Sequence, residues 1–202
     1  MSVTPNYHRI VIKAGTRLLT GGSAHLDLKV IGSIVQQIAK LHHEGVEVVF
    51  VSSGAVASGR SLLGSLKEDQ DIPERQVLAA VGQGHLMGVY EKLFNEHKIV
   101  VAQALVGRQD MLNRMGYLNI RNTLTTLLEH QVIPIINEND VVTVEELGQG
   151  TFGDNDRLSA MIANLVDADF LMMDHQAGAE VVAERPVLLG PDPRVGTLGT
   201  EE

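Results

Sequence analysis

Five short apolar runs rich in β-branched residues punctuate the chain, at residues 9–13, 46–52, 99–106, 132–136 and 168–173. The stretches between them are long enough for helices. In the first of these, Leu28, Ile31, Val35, Ile38 and Leu41, with Ile34 beside them, recur at spacings of three and four, which places them on one face of a helix over 28–43. Asp27 stands where an N-cap belongs, and Gly45 where the helix would stop. Residues 73–94, 117–130 and 156–166 carry three further helical patterns. Pro73 suits a helix start, whereas Gly82, Gly84 and Gly88 point to a bend or a close contact in the middle of that helix. The order is strand, helix, strand, helix, strand, helix, strand, helix, strand. Continuous apolar strands alternating with helices are buried on both faces, so the expected fold class is α/β, a three-layer αβα sandwich around a mainly parallel sheet.

Beyond Met173 the pattern weakens. Gly178, Pro186, Gly190, Pro191, Pro193, Gly196 and Gly199 interrupt everything except the short apolar runs 181–183 and 187–189. Residues 1–173 are therefore read as one compact unit and 174–202 as a divergent or truncated tail. Neither an internal repeat nor a low-complexity tract is present.

Composition narrows the function classes. A chain of 202 residues lets a single core bury about 70% of the unfolded surface, and 44% hydrophobic against 20% charged residues is an ordinary globular balance. Aromatics make up only 3%, so Val, Ile, Leu and Met are expected to fill the core. The absence of cysteine excludes a disulfide framework and thiolate zinc sites, and fits a reducing cytoplasm. No segment approaches the ~20 uninterrupted apolar residues of a membrane span, and the first residues show no basic stretch followed by an apolar run, so no membrane partner is expected. A net charge of −9 argues against nucleic acid as a partner. An anionic ligand would have to find positive potential locally, in a few cations, backbone N–H groups, helix N-termini and a metal.

Four clusters carry candidate chemistry, three of them at the end of an apolar run and one before a helix. Lys13-Ala14-Gly15-Thr16 follows the first strand, where a tight turn and an ammonium group would face phosphate oxygens; a strand-ending turn with a solvated lysine is the plainer alternative. The small residues from Ser52 to Gly59 follow the second strand and admit close approach of a ligand, or equally a turn into a tightly packed helix. Asn137-Glu138-Asn139-Asp140 ends the fourth strand with polar groups that are expensive to bury alone; they suit an α-ammonium group, or Asx-turns and caps. Gly153-Asp154-Asn155-Asp156 precedes a helix, where one side chain caps and others remain for a ligand. His42, His43, His97 and His130 lack paired spacing for a metal and are read as surface residues. Neither a Walker P-loop nor a dinucleotide fingerprint is present, and Gly82-Gln83-Gly84 inside a helix is weak evidence for either.

In order, VIKAGT at 11–16, VSSGAVA at 51–57, AAVGQ at 79–83, YLNIRNTL at 117–124, IINEND at 135–140 and FGDND at 152–156 resemble the glutamate 5-kinases of the amino acid kinase family. The resemblance implies an amino-acid-kinase fold with a shortened or altered C-terminal nucleotide-binding part. It implies ATP-dependent phosphorylation of the γ-carboxylate of L-glutamate, the first step of proline biosynthesis, in a cytoplasmic homo-oligomer open to feedback inhibition by proline. Lys13 would reach the transferring phosphoryl group and Asp156 would organise the catalytic lysines. Ser53, Gly54, Asn137, Asp140 and Asn155 would hold glutamate, while Lys13, Gly15, Thr16 and Asp174 would face ATP. Mg²⁺ would arrive with the nucleotide, so no dedicated metal motif is expected. The chain departs from this family after Met173: its last lysine is Lys98, and Asp192-Pro193-Arg194 comes late. The alternative is a catalytically weak glutamate- or proline-binding regulatory module with the same fold.

Overall fold

The computed structural model describes residues 7–64, 72–142, 155–175 and 178–184. Each of the five apolar runs forms a strand: β1 (Arg9–Ala14), β2 (Glu47–Ser52), β3 (Val101–Val106), β4 (Ile133–Glu138) and β5 (Phe170–His175). A sixth, β6 (Gly178–Glu184), follows β5 closely. The sheet order is β3-β4-β2-β1-β5-β6, with every pairing parallel except that of β5 with β6.

Strand ends move where the backbone finds a better partner. The run at 99–106 starts as a strand only at Val101, because the Ile99 amide donates to Phe94 O and so completes the preceding helix exit. β4 runs two residues further than its apolar run, since Asn137 and Glu138 pair with Leu105 and Val106. β5 starts late because Ala168 N donates to Ala163 O and Asp169 N to Arg9 O. It then continues past Met173, because Asp174 and His175 pair with Ala179 and Gly178 of β6. The short apolar run at 181–183, read from the sequence as part of a tail, thus lies within a sheet strand.

The principal helices are α2 (Leu28–His43), α4 (Ile72–Glu96), α6 (Arg114–Glu129) and α7 (Asn155–Leu165). Three short ones lie outside the four helical patterns: α1 (Thr16–Leu19), α3 (Ala55–Leu63) and α5 (Arg108–Leu112), of which α3 is the packed helix that the small residues after β2 equally allowed. The Asp27 carboxylate caps α2 by accepting from the Lys29 and Val30 amides at 2.9 and 3.2 Å, and Gly45 ends that region at φ 88°. Helix α6 begins three residues before its expected start because Asn113 Oδ1 accepts from the Met115 and Gly116 amides.

Period-two alternation divides the central strands between two cores. Val48 and Phe50 join Ile31, Val35 and Ile38 of α2 and Leu86, Tyr90 and Phe94 of α4 on one face. Val49 and Val51 join Leu124 and Leu128 of α6 and Leu158, Ile162 and Leu165 of α7 on the other. Burial on both faces is why these strands read as unbroken apolar runs. The few aromatics are nevertheless central: Tyr90, Phe50 and Phe94 are among the largest fully buried side chains, with the Phe50 and Tyr90 rings edge-on at 5.3 Å. The expectation of a purely aliphatic core is corrected accordingly.

Helix α4 passes its three glycines without interruption. A Cβ on Gly82 would lie 1.8 Å from Ala55 O, and one on Gly59 would lie 2.0 Å from Leu78 O. The glycines therefore let α3 and α4 touch backbone to backbone, and this contact seats the start of α3 at the edge of the sheet.

Candidate functional site

Parallel strands deliver their carboxyl ends to one edge of the sheet, so segments distant in sequence meet there. Lys13 leaves β1, Ser52 and Ser53 leave β2, Asn137 leaves β4 and Asp174 leaves β5, while α7 begins at the same edge with Asn155 and Asp156. Ser52, Ser53 and Asn137 are buried although polar, which requires partners at this edge.

Lys13 occupies the centre of one cluster. Its Nζ lies 2.6 Å from Asp156 Oδ1 and 2.9 Å from Asp174 Oδ1, and its side chain is only 10% exposed. Asp174 Oδ1 also accepts from the Gly15 amide at 2.8 Å, locking the turn after β1 to the end of β5. A Cβ on Gly15 would sit 2.8 Å from Asp174 Oδ2 and 2.9 Å from Lys13 Nζ, so any side chain there would displace the ion pair. Burial acts to lower the Lys13 pKa, but hydrogen bonds and charge from Asp156 and Asp174 outweigh it and hold the ammonium above its ordinary value. Lys13 is thus a fixed cation at neutral pH rather than a solvated strand end. Thr16 opens α1 at the same turn and is exposed.

A second cluster consists of amides and a hydroxyl. Asn155 Nδ2 donates to Ser53 Oγ and, at longer range, to Ser52 O (3.4 Å) and Asn137 Oδ1 (3.5 Å). Asn137 Oδ1 also accepts from the Glu138 amide at 2.9 Å, while its Nδ2 donates to Gln83 Oε1 at 2.7 Å. Asn155 Oδ1 is buried and finds no hydrogen-bond donor among the described residues. A buried acceptor left open at the end of a network suits an N–H donor on a ligand. Asn155 and Asp156 are consecutive on α7, so the open acceptor and the Lys13 ion pair share one helix start.

Gly54, at φ 93°, turns the chain from β2 into α3 beside Ser53. Asp140 lies two residues beyond β4. Burial raises its carboxyl above the usual range, partly offset by the charge of Arg75 on α4. Of the residues singled out from the sequence, Lys13, Gly15, Asp156 and Asp174 form one contact group, and Ser53, Asn137 and Asn155 form the other. Gly153 and Asp154 lie outside the described residues.

Three participants were missed, all on α4. Gln83 closes the amide network, Arg75 faces Asp140, and the Tyr90 hydroxyl pairs with Ser52 Oγ at 2.7 Å beneath the β2 end. The Tyr90 pKa is raised by burial, so the phenol stays neutral. A signal for Gln83 did exist: it shares the stripe of Ala79, Leu86 and Tyr90 at spacings of four, three and four, a polar side chain on a buried face.

Among the described residues no group of three or more His, Asp or Glu is placed to hold a metal ion, and no helix is long and apolar enough to cross a membrane. The family model for the amino acid kinase family matches residues 8–173. The glutamate 5-kinase of Dehalococcoides mccartyi (strain CBDB1) is 52% identical over 167 residues, covering 83% of this chain and 45% of that protein. The glutamate 5-kinase of Methylococcus capsulatus is 49% identical over 175 residues, covering 86% of this chain and 46% of that protein. That of Clostridium acetobutylicum is 47% identical over 168 residues, 83% of this chain and 62% of that protein. The chain spans about half the length of the curated relatives it matches.

Proposed function

The chain belongs to the amino acid kinase family, and on that premise we propose that it binds L-glutamate and phosphorylates its γ-carboxylate at the expense of ATP. The observation that carries this reading is that a largely buried cation, Lys13, and an open acceptor, Asn155 Oδ1, are gathered at one helix start. Relatives named glutamate 5-kinase supply the substrate. Residues 1–173 would form the glutamate-binding half, working in the cytoplasm.

In this reading Ser53, Gly54, Asn137, Asp140 and Asn155 hold the amino acid, with Asp140 and Asn155 Oδ1 taking its ammonium group. The γ-carboxylate oxygen is itself the nucleophile: it forms the new bond to the γ-phosphorus as the bond to the β–γ bridging oxygen breaks, and ADP leaves with that electron pair. No strong base is needed. ATP, when bound, supplies the phosphoryl group and brings Mg²⁺ on its phosphates, consistent with a site whose own carboxylates are engaged by Lys13 and Gly15. Lys13 and the Gly15-Thr16 turn would meet those phosphates. Phosphoryl transfer depends on alignment and charge neutralisation, and a preorganised ammonium provides the second without reorganising during reaction.

The test is formation of an acyl phosphate, trapped with hydroxylamine as the hydroxamate, by purified chain with Mg-ATP. Hydroxamate from L-glutamate in preference to L-aspartate or N-acetylglutamate is expected. Preference for either of the others would overturn the substrate assignment. Glutamate binding without hydroxamate would favour a binding or regulatory module, a reading motivated by the absence of any lysine after Lys98 in these 202 residues.

A further inference from the structure

We infer that Gln83 is a positioning residue for the amino-acid site: it holds the Asn137 amide in place and, through it, adds to the contacts with Ser52 and Ser53 that direct the Asn155 amide. The inference rests on the glutamate-binding reading of the site and assigns a role to a helix that does not itself end at that edge.

Two backbone groups set the polarity of the network. The Glu138 amide can only donate, so the Asn137 atom facing it at 2.9 Å must be Oδ1. Ser52 O can only accept, so the Asn155 atom facing it must be Nδ2. Asn137 Nδ2 is then committed to the opposite side, where Gln83 Oε1 accepts it at 2.7 Å. Asn137 is 3% exposed, so without that acceptor its Nδ2 would be a buried donor without a partner. The side chain relieves this only by rotating, which withdraws Oδ1 from the Glu138 amide and from Asn155 Nδ2. Asn155 then loses one of the groups that keep its own Oδ1 open toward the ligand.

Helix α4 is built to hold Gln83 still. One residue before it, Gly82 lies against the α3 backbone, and seven residues after it Tyr90 is pinned by Ser52 Oγ. Two turns of one rigid helix therefore support both the β2 end and the β4 end of the site.

The test compares wild type, Gln83→Met and Gln83→Glu. Met keeps length and helix propensity at a half-buried position but removes the acceptor, whereas Glu keeps an acceptor. Exchange protection of the Asn137 side-chain amide, followed by NMR of asparagine-labelled protein, is expected to be lost in Gln83→Met and kept in Gln83→Glu. Calorimetric affinity for L-glutamate is expected to fall about tenfold in Gln83→Met and to change far less in Gln83→Glu. Unchanged Asn137 protection in Gln83→Met would overturn the inference, as would equal losses in both variants, which would mark a packing role. If wild type fails to bind glutamate while the protection pattern follows expectation, the substrate reading falls and the positioning role stands.

Discussion

Lys13 and Asp140 show burial acting on charges of opposite sign. For Lys13 the flanking carboxylates outweigh burial and raise its pKa, so its ion pairs stabilise the fold fully below the ordinary lysine value of about 10.4 and lose that contribution as pH rises through the higher folded value. The urea midpoint should therefore show no Lys13-dependent change from pH 7 to about 9, and above about 10.5 it should fall more steeply in wild type than in Lys13→Met. In catalysis the same fixed charge acts on the transferring phosphoryl, so Lys13→Ala should reduce kcat by roughly 10²–10³ with little change in KM for glutamate. A purely KM effect would place Lys13 outside the reaction centre. For Asp140, burial dominates and raises the carboxyl pKa despite Arg75. Its charged form is thus disfavoured by folding, a penalty absent below the ordinary carboxylate range and present once pH exceeds the raised value. A ligand ammonium would relieve it. Glutamate affinity should accordingly decline as pH falls through the Asp140 value, and Asp140→Asn should both weaken binding and remove that part of the pH profile. Identical profiles for the two proteins would refute the ammonium contact.

At the scale of elements, the α3–α4 contact is the least forgiving place in the chain. Gly82→Ala forces a methyl group into a backbone carbonyl, and the overpacking should cost about 1–3 kcal/mol or more, read as a lowered urea midpoint. Gly84 and Gly88 lie on the same helix with nothing within 4 Å of a built Cβ, so Gly84→Ala should stabilise by about 0.5–1 kcal/mol through helix propensity. Opposite signs at positions two residues apart would confirm that Gly82 serves contact rather than bending. The glycines advertised something unusual in the sequence, and the caps at Asp27 and Gly45 were readable because capping is local. Helices α1 and α5 were not readable, since four or five residues carry too little periodicity, and α3 was readable only as one of two alternatives for the small residues after β2. The polar end of β4 likewise fell outside its apolar run, because its pairing with β3 depends on a partner some thirty residues away.

For the whole molecule, a net charge of −9 makes each cation at the site consequential. The last lysine, Lys98, follows α4 and precedes β3, placing it at the amino edge of a parallel sheet, opposite Lys13. Arg185 and Arg194 lie outside the described residues. Among the described residues, Lys13 is the cation that lies between Asp156 and Asp174. The resemblance implies more than one catalytic lysine; on that reading the 202 residues, assayed alone for ADP release with saturating glutamate and Mg-ATP, are expected to turn over roughly 10²–10³ more slowly than a full-length relative, the usual effect of removing one preorganised electrostatic donor. Equal kcat values would show that no second lysine is required. By itself, the sequence determined the layered α/β class, the strand runs, the principal helices and the residue types gathered at one edge, because hydrophobic period and capping are encoded within a few residues of chain. Tertiary structure alone decided which of those polar groups touch. Asp174 and Asp156 meet Lys13, and Gln83 meets Asn137, only because parallel strands bring their carboxyl ends together and glycine contacts seat α4 behind them. Such pairings span long stretches of chain, 54 residues for Gln83 and Asn137 and 159 for Gly15 and Asp174, a separation over which no local pattern carries information.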